Sequence, residues 1–293
     1  MCLAVGSAVC ARGQELEPRA YVPYPVGTNV AVVSIMNSRG DVVTDPTLPV
    51  EDAEGRFNTG VVGYVRGLGL FGRSANLLIS LPYSWGTAQG LVAGESGRVT
   101  RSGVGDARIR LAINLMGAPS MTPKEFRSYR FKALLAASLL VSPPTGQYDP
   151  AKLINIGTNR WTFKPEVAYS RALTDSGQWA LDAYGGVWFF TTNKDFVFGP
   201  RKQDPMLSTQ FHVNYLLKQR AWLAFDSTFY AGGGSSVNAQ SNDDRQQSLR
   251  LGGTLSVPIR GRHWLKFVYS RGAIVRVGGD FTNLGVTYLF IWT

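Results

Sequence analysis

Residues 207–217 read LSTQFHVNYLL. Leu207, Phe211, Val213, Tyr215 and Leu217 fall on one parity, and Ser208, Gln210, His212 and Asn214 on the other. A helix would interleave the two sets at spacings of three and four, whereas a strand sends successive side chains to opposite faces. The stretch is therefore predicted as a strand with one apolar and one polar face. DARIRLAINL (106–115) and SLRLGGTLSV (248–257) repeat the pattern. About twelve such segments of roughly nine to eleven residues follow one another, the length a tilted strand needs to cross a bilayer. They are expected near 29–38, 57–67, 73–84, 104–115, 131–141, 161–173, 178–190, 206–217, 220–230, 247–258, 262–272 and 282–292.

The connections choose among all-β architectures. Long ones are expected at 39–56, 85–103, 142–160, 191–205 and 231–246, and short ones near 69–72 and at 174–177, 218–219 and 259–261, with 116–130 of middle length. Long loops on one side and short turns on the other mark an outer-membrane barrel, and a soluble sandwich has no reason to alternate them. Twelve strands also enclose too wide an interior for side chains to fill, since about eight already leave only a narrow one. Such a barrel holds water and turns its apolar face to lipid, while closure pairs every backbone group within the wall. The predicted fold is an all-β, transmembrane, antiparallel up-and-down β-barrel of about twelve strands spanning 29–293. Aromatics near segment ends, among them Trp85, Trp161, Trp179, Trp222, Trp264 and Trp292, are expected to form the two interfacial girdles.

Composition agrees. Charged residues make up 17% and aromatics 12%, with 33 glycines and a mean hydropathy of -0.04. The net charge of +10 and pI near 9.7 come from cations scattered singly. Without a Lys/Arg cluster, nucleic acid is not an expected partner, and a positive pore or anionic lipid headgroups account for the excess. The only cysteines, Cys2 and Cys10, lie in the uncharged run CLAVGSAVCA. With small residues at Val9-x-Ala11 or Ala11-x-Gly13, residues 1–13 read as a secretory signal peptide whose positive n-region is missing, so the true start is expected upstream. Residues 14–28 are then expected to be a periplasmic N-terminal segment.

On this fold the inward face carries Arg66, Arg108, Arg110, Lys132, Lys164, Glu166, Asp182, His212, Asp226, Arg250 and Lys266. Exposing an Arg or Lys to lipid at midplane costs about 2–4 kcal/mol, so these residues are assigned to a channel lumen. They either bias a water-filled pore towards anions or brace the wall as ion pairs. Tyr184, Trp188 and Phe190 share that face. They offer a surface on which an aromatic solute slides, or packing for a loop folded into the barrel. Tyr288, Phe290 and Trp292, with Leu284 and Val286, form the outward face of a closing strand. An alternating final strand with a terminal aromatic resembles the signal read by the barrel-assembly machinery, displaced here by Thr293.

Chemistry is sparsely represented. The two histidines, His212 and His263, belong to no metal or nucleophile motif, and the runs GVGD, GGGSS and GGD precede no helix. No cofactor, metal or catalytic residue is expected. The expected function is passive transport of small solutes, against two rivals. One is a scaffold whose loops 39–56, 85–103 and 231–246 bind partners; the other is an outer-membrane lipid hydrolase.

SPPTGQYDPAKLINIGTNRWTFKPE (142–166), GVWFFTTNKDF (186–196), QDP (203–205), YAGGG (230–234), LKFVYSRG (265–272), RVGGDF (276–281) and the opening ELEPRAYVPYPVGTN (15–29) together resemble the MetA-pathway of phenol degradation family of bacterial proteins. The likeness implies an outer-membrane transporter in the bacterial cell outer membrane, with phenolic or other aromatic cargo. It also draws attention to Asp149, Lys152, Asn155, Asn159, Arg160 and Trp161, in a loop whose short helical turn after Pro150 could fold inward and constrict the pore.

Overall fold

The computed structural model describes residues 16–43, 50–92, 95–130, 132–152 and 154–293. The segment expected as a signal peptide lies outside them. The chain forms β1 (Asn29–Val43), β2 (Val50–Leu70), β3 (Arg73–Val92), β4 (Glu95–Val104), β5 (Arg108–Met116), α1 (Pro123–Phe126), β6 (Ala133–Ser142), β7 (Thr162–Ala172) and β8 (Trp179–Phe190). It continues through β9 (Arg201–Gln203), β10 (Met206–Leu216), the 3-10 turn η1 (Lys218–Arg220), β11 (Trp222–Gly232), β12 (Ser235–Val237) and β13 (Gln240–Ser241). β14 (Gln246–Arg260), β15 (His263–Val275) and β16 (Gly278–Trp292) complete it.

Every neighbouring pair in the wall is antiparallel, and β1 joins β2 on one side and β16 on the other, from Asn29↔Trp292 to Val43↔Gly278. The sheet closes as a barrel of twelve strands, with β4 and β5 stacked end to end against β3 as one broken strand. Its solvent pattern is inverted relative to a water-soluble domain. Val62, Phe225, Val167 and Leu284 are more than half exposed, while His212, Asp226, Asn214 and Thr254 are fully buried. The parity read from LSTQFHVNYLL holds in β10, where Ser208, Gln210, His212 and Asn214 turn inward.

Two aromatic belts mark the membrane boundaries. Tyr83 lies against Trp85, and Trp161 stacks on Phe163, at the loop end. Trp179 meets Tyr215, and Phe290 stacks on Trp292, at the end holding the termini. Trp179 and Phe189 stand ten residues apart on β8. That is roughly 33 Å of strand, or about 25 Å along the normal once tilted, the height of an outer-membrane apolar band. Trp222 and Trp264 depart from the expected girdle: Trp222 shares the inward parity of Ala224 and Asp226, with Arg19 over its ring at 5.8 Å, and Trp264 shares that of Lys266 and Val268.

Several strands outgrow their predicted lengths. The stretch 85–103, expected as a loop, is the upper half of β3 paired to β4, and β1 and β2 take in much of 39–56. Above the lipid neither face of a strand must be apolar, so the alternation vanishes while the hydrogen-bond ladder continues. Conversely, the strand expected over 104–115 is interrupted at Gly105–Ala107. There the Asp106 carboxylate accepts from Gly146 N (2.8 Å), Thr158 N (2.9 Å) and Thr158 Oγ1 (2.6 Å). Gly146 and Gly157 cross so closely that a Cβ on either would lie 2.7–2.8 Å from the other's backbone. The 143–161 loop is thereby knitted onto the wall at the break.

Candidate functional site: the barrel interior

Residues 16–28 enter the barrel. Pro18, Pro23 and Pro25 lack the N–H a strand or helix needs, so the segment takes its partners from the wall. Glu17 N donates to Gln210 Oε1 (3.4 Å), Arg19 N to Asp182 Oδ2 (3.0 Å), and Ser74 Oγ to Tyr24 O (3.3 Å). Leu16 packs beside Gly252. The contacts run from β3 round to β14, so the segment crosses the lumen rather than lining one side. It leaves through Val26 N to Met121 O (2.8 Å) and Gly27 N to Gly67 O (3.0 Å) before β1 begins. Expected simply as periplasmic, these residues form a plug.

Tyr21 anchors it, with 1% of its surface exposed. Its hydroxyl donates to Glu166 Oε1 (2.5 Å) and lies 2.8 Å from Ser138 Oγ, and its ring meets Tyr184 edge-on at 5.0 Å. The inward residues Ala112, Ala136 and Ala168 leave the space it fills, with Leu134 completing the cluster. Burial, then the Glu166 carboxylate, pushes the Tyr21 phenol well above its usual range, so it stays a donor. Arg110 Nη1 donates to Glu17 Oε2 at 2.5 Å. Burial pushes the Glu17 carboxyl up, but Arg110, Lys266 and Lys164 outweigh it and hold it at about 2. Nearly half of that side chain, 44%, still faces the lumen.

Nine of the eleven residues expected in the lumen take the inward parity. Asp226 joins His212 Nδ1 (2.7 Å) to Thr254 Oγ1 (2.6 Å), and Asn214 donates to Asp182 (2.8 Å). Lys164 pairs with Glu166, and Arg250 donates to the Phe281 carbonyl. Arg108 and Lys266 complete the set, on the faces of β5 and β15 that also hold Arg110 and Val268. Arg66 corrects the expectation: it lies on the outward face of β2 with Tyr64, and both donate to Asn29 Oδ1. GVVGYVRG (60–67) is apolar on both faces, so its parity was unreadable. Lys132 lies exposed at the turn before β6, outside the lumen.

Above the plug, β8 presents Tyr184, Trp188 and Phe190 inward. A cation stands against a ring at three levels: Arg110 near Tyr21 (5.6 Å), Lys164 near Trp188 (5.2 Å) and Arg160 near Phe190 (4.5 Å). Gly186 makes this possible, because a Cβ there would lie 2.9 Å from Lys164 Cε. Higher still, the long loops tie across the mouth. Asn159 Nδ2 donates to Asn193 and Asp195 (3.0 Å each), Arg160 to Gln203 Oε1 (2.5 Å), and Asn193 Nδ2 to Tyr148 (2.9 Å). β9, β12 and β13 form a small sheet there, with Arg201 near Asp244 at 3.9 Å.

The six loop residues expected at a constriction divide. Arg160 is buried and Asn159 bridges to the neighbouring loop. Asp149 and Lys152 pair at 2.7 Å where both are exposed, and Asn155 caps that turn by accepting from Asp149 N. Trp161 is a correction, since its ring faces outward, 46% exposed, in the upper girdle. The turn after Pro150 is a single one, Lys152 N to Asp149 O at 3.0 Å. His263 also faces outward, bonded to Tyr288. The plug escaped the sequence reading because it has no periodicity, although Glu17, Arg19, Tyr21 and Tyr24 within a proline-rich segment signal side chains needing partners.

A family model described as "Putative MetA-pathway of phenol degradation" matches residues 37–290. The chain belongs to this family. The fold resembles the crystal structure of an outer-membrane channel from Pseudomonas putida F1, with a TM-score of 0.78, 24% identity, and coverage of 95% of this chain and 100% of that one. It also resembles the transport unit of the autotransporter AIDA-I from Escherichia coli, with a TM-score of 0.54, 7% identity, and coverage of 96% and 94%. No curated protein matches the chain. The protein is an outer-membrane β-barrel of the general kind seen in channels and autotransporters, and its site is the bacterial outer membrane.

Proposed function

We propose that this family member is a non-enzymatic channel for passive uptake of small solutes, with phenolic and other aromatic compounds as its cargo. One observation carries the reading: the inward column Tyr184–Trp188–Phe190, flanked by Lys164 and Arg160, between the plug and the loops at the mouth. Rings give an aromatic solute faces to stack on, and neighbouring cations favour a phenolate or carboxylate substituent. A solute handed down this column meets Tyr184 against Tyr21, so passage requires the plug to yield. His212 is held by Asp226 inside the barrel, away from the lipid face that a lipid hydrolase would need.

Flux of labelled benzoate and phenol into proteoliposomes tests the proposal. Wild-type protein should carry both faster than a saccharide of similar mass. Trp188→Ala with Phe190→Ala should lose that preference. Equal rates for aromatic solutes and saccharide in the wild type would contradict it.

A further inference from the structure

We propose that the rim at the end holding the termini is a docking collar for anionic phospholipid headgroups of the periplasmic leaflet. Short turns mark that end as periplasmic. Its five connections join neighbouring strands all round the wall, and each carries or adjoins at least one exposed cation. The 117–132 connection has Lys124, Arg127, Arg130 and Lys132. Lys218 and Arg220 sit on η1, and Arg260 and Arg262 flank the β14–β15 turn. Arg73 and Arg171 stand beside the remaining two turns, making ten exposed cations. Only two acidic side chains accompany them, Glu125 and Asp175, and Glu125 is occupied by the Thr122 capping box.

The loop end is built differently. There Lys152, Arg201 and Arg276 pair with Asp149, Asp244 and Asp243. Among the described residues no ion pair joins any of the ten rim cations to a carboxylate. The chain's positive excess is therefore gathered on one rim, uncompensated by the protein itself.

Direction separates a lipid collar from a funnel for anionic solutes. Arg171 continues the outward face of β7, two places beyond Tyr169, and Arg73 lies on the outward parity of β3. Arg66, also outward on β2, follows Tyr64 in the same way. Arg262 adjoins His263, whose ring lies 5.0 Å from Phe290 in the lower belt. Cations just beyond outward-facing aromatics meet phosphate groups where the rings sit at headgroup level. A closed ring also fits a bilayer plane better than it fits one face of a globular or linear partner.

Quenching of belt tryptophans by brominated lipids tests the collar. Protein is reconstituted with brominated phosphatidylglycerol or, in parallel, with brominated phosphatidylcholine in the same proportion. At low salt, phosphatidylglycerol should be preferred by about threefold or more, and the preference should collapse in about 0.5 M NaCl. Combined Arg73→Gln, Arg171→Gln and Arg262→Gln should abolish it, while Arg98→Gln with Lys202→Gln, at the loop end, should leave it intact. Equal quenching by the two lipids in wild-type protein would overturn the proposal, as would a preference untouched by salt or by the triple variant. Loss of anion selectivity in the triple variant with lipid preference intact would assign the cations to solute and equally overturn it. Heat-dependent migration on a gel verifies folding; if the triple variant fails it, Arg171→Gln alone should lose part of the preference, and full retention would count against the collar.

Discussion

Tyr21 and Glu17 hold the plug by different means, and each makes its own prediction. Tyr21→Phe keeps the ring in its alanine-lined site but removes a donor to a buried carboxylate. That should cost about 2 kcal/mol and raise the open population roughly thirtyfold, read as open probability in planar bilayers. The Glu17 carboxyl is held at about 2, below its ordinary 4.5. A depressed carboxyl stabilises docking fully above the ordinary value and loses that contribution as pH falls towards the bound one. Openings should therefore stay rare from pH 7 to 5 and grow more frequent between about pH 4 and 2; Glu17→Gln should flatten that dependence. At this scale the inward set was largely legible, because Arg108, Arg110, Lys164 and the others alternate with apolar neighbours. Arg66 was not, because Val61, Val62, Tyr64 and Val65 leave its strand without a polar face.

The plug and the wall beneath it function as a matched pair of elements. Ala136 is 0% exposed against the plug. Ala136→Leu should overfill that site by about 1–3 kcal/mol and expel the segment, leaving the barrel folded. Raised conductance with unchanged heat-dependent migration would be the signature. At the strand break, Gly146→Val places a side chain where backbone already stands. It should loosen the 143–161 loop, seen as faster protease cleavage of intact protein there. Neither feature was readable beforehand, since the plug has no period and the break follows from hydrogen bonds between distant residues, Asp106 with Gly146 and Thr158. Strand number and order were readable wherever a strand meets lipid, because only there must one face be apolar. Above the membrane β3 and β4 run on as polar strands and resembled a loop.

For the whole molecule the inside-out pattern decides the rest: apolar residues outside, a polar network within, and a wall closed on itself between β1 and β16. β16 closes the ring through both β1 and β15, with Leu284, Tyr288, Phe290 and Trp292 on the outward parity. We propose that Tyr288, Phe290 and Trp292 also serve as the signal for barrel assembly. Deleting Leu284–Thr293 would expose two edges at once, and no heat-modifiable protein should reach the membrane. Closure explains why the barrel could be read from periodicity and connection lengths, while what occupies its lumen could not. Residues 16–28 are expected to obstruct an otherwise continuous passage. Single-channel conductance in planar bilayers, measured for wild-type protein and for a variant lacking Leu16–Pro25, tests it most directly. Small or infrequent openings are expected in the wild type, and large, sustained conductance once the segment is removed. Equal conductance in the two proteins would contradict it.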